Sequence, residues 1–411
     1  MDPTRSDDAV VENYPAAQRP LRLAVVTETW PPEVNGVATT IAQLVQGLQR
    51  RHHELQLVRP RQAPADAAGH GVRFHEVLMR GLPIPRYPQL RMGLPARRQL
   101  VQLWSRQRPD AVHIATEGPL GFSALQAARH LKLVVTSDFR TNFHAYSRHY
   151  GIGWLRRPIM AYLRSFHSRC AVTMVPTEPL RRELQGEGFS CVQVVARGID
   201  TRLFHPARRS AALRASWGVG DDDLVVACVG RLAPEKNLPA LLKAFDAIVR
   251  DQPRARLLLV GEGPLRAVLA AAQPQAILAG QRRGEDLAAH YASADLFVFP
   301  SLTETFGNVT GEAMASGLPV LAYDHAGAAQ LIRAGDSGVL APFGDEAEFV
   351  RSARQMAGSA AWRQALGRGA RQRAAGQGWD EIVARFEAVL LQAIKQQACA
   401  GPRGFRAATA A

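Results

Sequence analysis

Short unbroken apolar runs alternate with segments whose apolar residues recur every three or four positions, and this rhythm holds from about residue 21 to residue 397. Apolar runs without a polar face, set between helical patterns, predict a parallel sheet covered on both sides. In the first half the pattern predicts strands over 21–27, 54–60, 72–77, 111–116, 132–136, 171–175 and 192–195. Helices are predicted over about 38–51, 96–107, 121–130 and 154–169, with one more after residue 175. Between residues 60 and 95 the chain is rich in Pro and Gly, so apart from the short strand it reads as loop.

A polar bridge over about 200–222 separates this half from a second series. Strands are predicted there over 224–229, 256–260, 276–278, 296–299 and 320–322. Helices fall near 237–250, 264–272, 285–291, 310–316, 326–333, 345–357 and 359–375. The final predicted helix, 379–397, places Ile382, Val383, Phe386, Val389 and Leu390 at helical spacing. The expected organisation is a disordered start (1–20), two Rossmann-like α/β domains (21–200 and 201–375) facing a central cleft, a terminal helix (376–397) and a tail (398–411).

Charge changes the picture only in part. The chain carries +14, and residues 1–200 hold 26 Lys and Arg against 16 Asp and Glu. Such an excess suits nucleic acid, an anionic membrane surface or an acidic substrate, and it also follows from an Arg-rich composition alone. No aromatic-interleaved basic run or reader motif supports nucleic acid. No apolar run approaches the ~18 residues that span a bilayer, and the acidic start lacks the pattern of a signal peptide. A cytoplasmic protein is expected. The four cysteines have neither metal nor redox spacing.

The richest stretch is Phe299-Pro-Ser-Leu-Thr-Glu-Thr-Phe-Gly-Asn-Val-Thr-Gly-Glu312, continuing through Ala-Met-Ala-Ser-Gly-Leu-Pro-Val320. It puts Glu304 at a strand's carboxyl end and Glu312 on the first turn of the next helix. In an open α/β sheet ligands bind in that crevice. Backbone N–H groups of Phe306, Gly307, Asn308, Val309 and Thr310 suit an anion there. An acid at a helix start is also an ordinary way to satisfy free N–H groups. A second string, Gly230-Arg-Leu-Ala-Pro-Glu-Lys-Asn237, places Arg231 and Lys236 at another strand end. Pro31-Pro-Glu-Val-Asn-Gly-Val37 follows the first strand, with Gly36 open to close ligand approach. Gly261-Glu-Gly-Pro264 reads as turn geometry, and Asp221-Asp-Asp223 as a solvated turn rather than a metal site.

Together these strings resemble the family 4 retaining glycosyltransferases. Thr303-Glu-Thr-Phe-Gly-Asn308 with Glu312-Ala-Met-Ala-Ser-Gly-Leu-Pro-Val320 is similar to that family's Glu-x7-Glu signature, and residues 230–237 to its Gly-Arg-Leu-x-x-Glu-Lys-Asn motif. The resemblance covers about residues 21–397. It implies the GT-B fold, with the last helix crossing back to the first domain. It also implies transfer of a hexose from a nucleotide-diphosphate sugar with retention of configuration and without a metal or other cofactor. Arg231 and Lys236 would hold the diphosphate, whose charge grows as the glycosidic bond breaks. Glu304 would bind the sugar hydroxyls and Glu312 the ribose. Phe306, Gly307 and Asn308 would offer N–H groups to the sugar, Val309 and Thr310 to phosphate, and the Gly36 loop would lie beside the phosphates. Catalysis would rest on front-side attack, with the departing phosphate helping to deprotonate the acceptor.

One stretch departs from the pattern. Relatives often carry His-Thr where this chain has Arg140-Thr141, and that His lies close to the donor sugar. An Arg cannot act as a base at neutral pH. Arg140, His144 four residues on, Asp138 and Glu117 are the sugar- or acceptor-side candidates. The opening Glu28-Thr-Trp-Pro-Pro-Glu-Val-Asn-Gly-Val37 is similar to GDP-mannose-dependent α-mannosyltransferases, which implies mannose as donor sugar. A UDP-sugar-dependent glucosyl- or sulfoquinovosyl-type transferase is the alternative, then a nucleotide-sugar epimerase or a non-catalytic relative. Residues 151–169 combine Trp154, Leu155, Ile159, Met160, Leu163 and Phe166 with Arg156, Arg157, Arg164 and Arg169. They read either as an amphipathic helix lying on an anionic membrane, next to a lipid-linked or glycan acceptor, or as a packed helix with a solvated Arg face.

Overall fold

The computed structural model describes residues 19–33, 36–63, 65–84, 87–140, 156–304 and 306–400. In chain order the first half gives β1 (Arg22–Val26), β2 (Glu54–Pro60), β3 (His70–Gly71), β4 (Phe74–Met79), β5 (Gly81–Ile84), β6 (Tyr87–Gly93), β7 (Ala111–Ile114), β8 (Val134–Asp138), β9 (Val172–Val175) and β10 (Val192–Val194). Eight of these form one sheet in the order β10-β9-β8-β7-β1-β2-β4-β3, parallel except at the β3–β4 edge. The second half gives β11 (Val225–Val229), β12 (Arg256–Val260), β13 (Ile277–Gly280), β14 (Leu296–Phe299), β15 (Val320–Tyr323) and β16 (Gly338–Ala341). They form a parallel sheet in the order β13-β12-β11-β14-β15-β16.

In both sheets the order in which the chain adds strands reverses, between β1 and β7 and between β11 and β14. A crevice opens outside the strand ends at such a reversal, which fixes where a ligand can sit. The central strands are dry: every residue of β7, β11, β14 and β15 is buried.

The last helix, Trp379–Ala400, crosses back to the first unit. It packs on the helix Gly36–Arg50, where a Cβ on Gly47 would stand 2.3 Å from Val383 Cγ2, so only glycine permits the approach. Glu387, buried on this helix, accepts from Arg51 Nε at 2.7 Å and from His53 Nε2 at 2.8 Å. His53 Nδ1 accepts from the Leu21 N–H, so the proton on Nε2 is the one given to Glu387. The Phe386 ring meets His113 edge-on at 4.8 Å.

Three differences from the sequence reading have physical causes. The supposed loop after residue 79 contains the antiparallel pair β5–β6, whose prolines hid it; in a two-stranded sheet a Pro can face the open edge. β16 carries little sequence signal because it is a short edge strand that begins at Gly338, three residues after Gly335. The polar bridge contains a helix, Ala211–Ser216, whose buried Arg214 donates to Asp295 Oδ2 at 3.0 Å and to the carbonyls of Ser293 and Asp223. Asp223 itself pairs with Arg254 at 2.7 Å, as a turn residue would. Among the described residues no group of three or more His, Cys, Asp or Glu could hold a metal, and no helix is long and apolar enough to cross a membrane.

Candidate active site

Leaving β11, the chain passes through Gly230 and a single 3-10 turn, Pro234–Lys236, before the helix Leu238–Asp251. Leaving β14, it turns at Pro300 and reaches Glu304. These two loops are stitched together: Thr303 Oγ1 donates to the Glu235 carbonyl at 3.0 Å, and Asn237 Nδ2 to the Pro300 carbonyl at 3.3 Å. Lys236 and Glu304 thereby form an ion pair across the reversal, with Lys236 Nζ donating to Oε1. Ser301 Oγ donates to the same oxygen at 2.8 Å, and Lys236 Nζ lies 5.6 Å from the centre of the Phe299 ring. Arg231 pairs with the buried Glu235 while 45% of its own side chain stays exposed, so its cation is oriented but still reachable. Gly261 lies against this floor; a Cβ there would be 1.9 Å from the Gly230 carbonyl.

After Glu304, the buried Phe306 and the left-handed Gly307 (φ +83°) turn the chain into the helix Asn308–Ala315, two residues earlier than the sequence suggested. No side chain caps this helix and no acid lies in its first turn. Thr310 is buried in that turn with its hydroxyl unpartnered. One turn further on, Glu312 accepts from Tyr291 Oη at 2.9 Å. Burial pushes the Glu312 carboxyl up to about 7, against the opposing effect of that hydrogen bond.

Gly36 begins its helix opposite this point. A Cβ on Gly36 would stand 3.7 Å from Asn308 Nδ2 and 2.8 Å from Arg197 Nη1, so the glycine lets the first unit approach the second. The other first-unit candidates group among themselves. Asp138 is fully buried; Arg140 Nε donates to its Oδ2 at 2.5 Å, and His113 Nε2 lies 3.2 Å away. Burial alone would raise its pKa, yet the charges of Arg140 and His113 outweigh it and hold Asp138 at about 2. Arg140 is thus a buried cation committed to Asp138. Glu117, also buried, stands 3.3 Å from His167 Nε2, and its carbonyl accepts from Tyr162 Oη at 2.5 Å. His144 lies outside the described residues.

Two family models match the chain: "Glycosyltransferase Family 4" over residues 34–203 and "Glycosyl transferases group 1" over residues 223–358. A GDP-mannose-dependent alpha-mannosyltransferase of Mycobacterium tuberculosis is 35% identical over 379 residues, covering 90% of this chain and 97% of that protein. The chain belongs to the family 4 glycosyltransferases. Sulfoquinovosyl transferase SQD2 of Arabidopsis thaliana is 28% identical over 376 residues, covering 89% of this chain and 72% of that protein. Among solved structures, sucrose-phosphate synthase from Thermosynechococcus elongatus superposes with a TM-score of 0.72 at 18% identity, covering 92% of this chain and all of that one. The two-sheet architecture of this glycosyltransferase is GT-B.

Several residues of this family 4 enzyme's cleft carry no local sequence signal. Tyr291 meets Glu312 from the preceding helix, and Arg197 donates to Asn308 Oδ1 at 3.1 Å from the first half. His325, just beyond β15, lines a small pocket with Glu304 and Thr310, and burial holds its pKa below the ordinary value. Glu28 is the exception, since it lies within the Glu-Thr-Trp-Pro-Pro string. Its Oε1 accepts from the Leu120 N–H at 2.9 Å at the start of the helix Pro119–His130, and burial pushes it up to about 7 despite such backbone donors.

Proposed function

We propose that the chain is a retaining, metal-independent α-mannosyltransferase that takes mannose from GDP-mannose and delivers it to a lipid-linked or glycan acceptor. The observation that carries this reading is the Lys236–Glu304 pair at the reversal of the second sheet, beside the uncapped helix Asn308–Ala315. A cation and an open helix start suit a diphosphate, and the neighbouring carboxylate suits sugar hydroxyls. Arg231 and Lys236 hold the diphosphate and stabilise its charge as it leaves. Glu304 orients the hexose with the N–H groups of Phe306, Gly307 and Asn308. Val309 and Thr310 serve phosphate, and Glu312, held by Tyr291, receives the ribose hydroxyls. Gly36 closes the cleft from the first unit. The 35% identity to the M. tuberculosis enzyme supports GDP-mannose as donor.

Glu117, Asp138 and Arg140 belong to the acceptor side in this reading, with His144 as a further candidate. Peripheral contact with an anionic membrane, at the inner face of the cell membrane, is the proposed setting. It rests on charge: a hollow of about 390 Å³ in the first unit is lined by Arg97, Arg129, His130 and Arg169 with Leu125 and Gln126. The helix Arg156–His167 contributes less than its pattern promised, because Met160, Leu163 and Phe166 are spent on the core.

Thermal-shift measurements with GDP-mannose, GDP, UDP-glucose and UDP in the presence of EDTA test the donor. Radiolabelled transfer to extracted lipid then tests the reaction. Stabilisation by the uridine series alone replaces mannosyl by glucosyl or sulfoquinovosyl transfer. Turnover that is lost in EDTA and restored by Mg²⁺ overturns the metal-independent mechanism.

A further inference from the structure

The hairpin at the outer edge of the first sheet carries two histidines that face each other. β3 and β4 are antiparallel and joined by Val72 and Arg73, which places His70 directly opposite His75. On the next rung the Glu76 N–H donates to the Gly69 carbonyl at 2.9 Å. His70 and His75 thus form a non-hydrogen-bonded pair of the ladder, where side chains come closest. Their Nδ1 atoms are 2.8 Å apart, and the rings stack with centroids at 4.7 Å and planes 28° from parallel. The hairpin is held at both ends. Arg59 Nη2 donates to Glu76 Oε2 at 2.9 Å, and Arg73 Nη1 to the His52 carbonyl at 2.9 Å.

Two imidazole nitrogens this close offer two lone pairs to a cation once the proton they share is displaced. Imidazole suits Zn²⁺, Ni²⁺ and Cu²⁺, with metal–nitrogen bonds about 2.0–2.1 Å long. Across a separation of 2.8 Å, two such bonds meet at the metal at about 85–90°. That angle fits neighbouring corners of a tetragonal or octahedral site, whereas a tetrahedral ion would hold the nitrogens about 3.3–3.4 Å apart. His70 is exposed, and the pair borders an open hollow of about 340 Å³ that also takes in Glu54. A hydrated ion can therefore reach the two rings and keep water on its other positions. We propose that His70 and His75 form a two-histidine site for a divalent transition cation of right-angle geometry, Ni²⁺ or Cu²⁺. The site stands apart from sugar transfer. His75 pairs with Gln56 near the amino end of β2, and the crevice opens at the carboxyl ends. The bound ion fastens β3 to β4 and so secures the outer edge of the sheet.

Calorimetric titration of the untagged full chain with NiCl₂, ZnCl₂ and CuCl₂ tests this. Wild type, His70→Ala and His75→Ala are compared, and thermal melts in EDTA establish that each is folded. Wild type is expected to bind Ni²⁺ more tightly than Zn²⁺, and to melt at a higher temperature with Ni²⁺ than in EDTA. Each substitution is expected to weaken Ni²⁺ binding by about tenfold or more and to remove that rise, since losing a ligand costs at least as much as losing a group that orients one. Cu²⁺ binds most nitrogen sites tightest whatever their geometry, so its use here is spectroscopic. Its electron paramagnetic resonance should show two nitrogen ligands in wild type and one in either variant. Variants that bind Ni²⁺ as wild type does place the ion on other histidines and overturn the proposal. A wild-type chain that binds no ion overturns it too, leaving the pair a hydrogen bond alone. Tighter binding of Zn²⁺ than of Ni²⁺ overturns the right-angle site.

Discussion

Lys236 and Glu304, 68 residues apart in the chain, are joined as an ion pair across the carboxyl ends of β11 and β14. Their side chains are 18% and 15% exposed, so each shields the other from being a largely buried, lone charge. Removing one partner costs folding stability through the charge left behind, by about 1–3 kcal/mol. Glu304→Gln and Lys236→Met are each expected to lower kcat/KM by about 10²-fold or more. The double variant is expected to regain stability but not activity. Thermal melts beside initial rates check this; a double variant less stable than both singles would show that the pair is not the coupled unit described.

Stability should fall as pH rises through the range where Glu28 and Glu312 ionise. Burial lifts both from the ordinary 4.5 to about 7. Folding favours their neutral forms, so this contribution is complete below 4.5 and is lost as pH climbs towards 7. For Glu312, in partial contact with solvent, the loss is roughly 2 kcal/mol. Asp138 runs the other way: held at about 2, it supports the fold above the ordinary 3.8 and ceases to do so as pH drops through 2. Melting temperatures of wild type and Glu312→Gln between pH 4 and 8 should converge at the acid end and separate at the basic end, with the variant more stable. Parallel curves would contradict the assignment.

The crossing helix depends on one buried carboxylate. Glu387→Ala removes the acceptor of both Arg51 and His53, and a loss of about 2–4 kcal/mol is expected, read from chemical denaturation. Gly47→Ala drives a methyl into Val383 and is expected to cost about 1–3 kcal/mol. Neither residue lies in the cleft, so residual activity should follow the folded fraction.

Binding to anionic vesicles should be electrostatic in character. Cosedimentation with phosphatidylglycerol vesicles is expected to fade between about 0.1 and 0.5 M salt, as screening shortens the reach of the Arg97, Arg129 and Arg169 face. Replacing Arg129 and Arg169 by Glu should abolish it while leaving GDP binding intact. Binding that persists at high salt would instead point to an apolar surface, and the exposed Leu82 and Met92 of the β5–β6 pair would be the place to look.

Much of the fold was legible because a strand buried on both faces leaves an unbroken apolar run, as in Val225–Val229 and Leu296–Phe299. Glu304 and Lys236 were legible for a related reason: each sits in a contiguous string at the end of such a run. Arg197 and Tyr291 were not, since their partners lie 111 and 21 residues away and nothing local marks them. Arg140 was visible as a departure, but its capture by Asp138, which His113 also meets, needed the neighbouring strands β7 and β8 side by side. The helix Arg156–His167 misled in the opposite sense, because an amphipathic pattern records an apolar face without saying whether protein or lipid covers it.

The chain passes between its two units twice, and the passages run side by side. Ile199 N–H donates to the Gln377 carbonyl at 2.9 Å, and the Trp379 ring fills the space beside Gly198, where a Cβ would stand 2.4 Å from Cδ2. Two tethers bonded to one another act as a single hinge line. Swinging about that line is then the easy motion, and sliding or shearing the units is resisted. A swing that parts Gly36 from Asn308 would release the spent nucleotide and admit the next donor through the same door, so unloading and reloading become one movement rather than two.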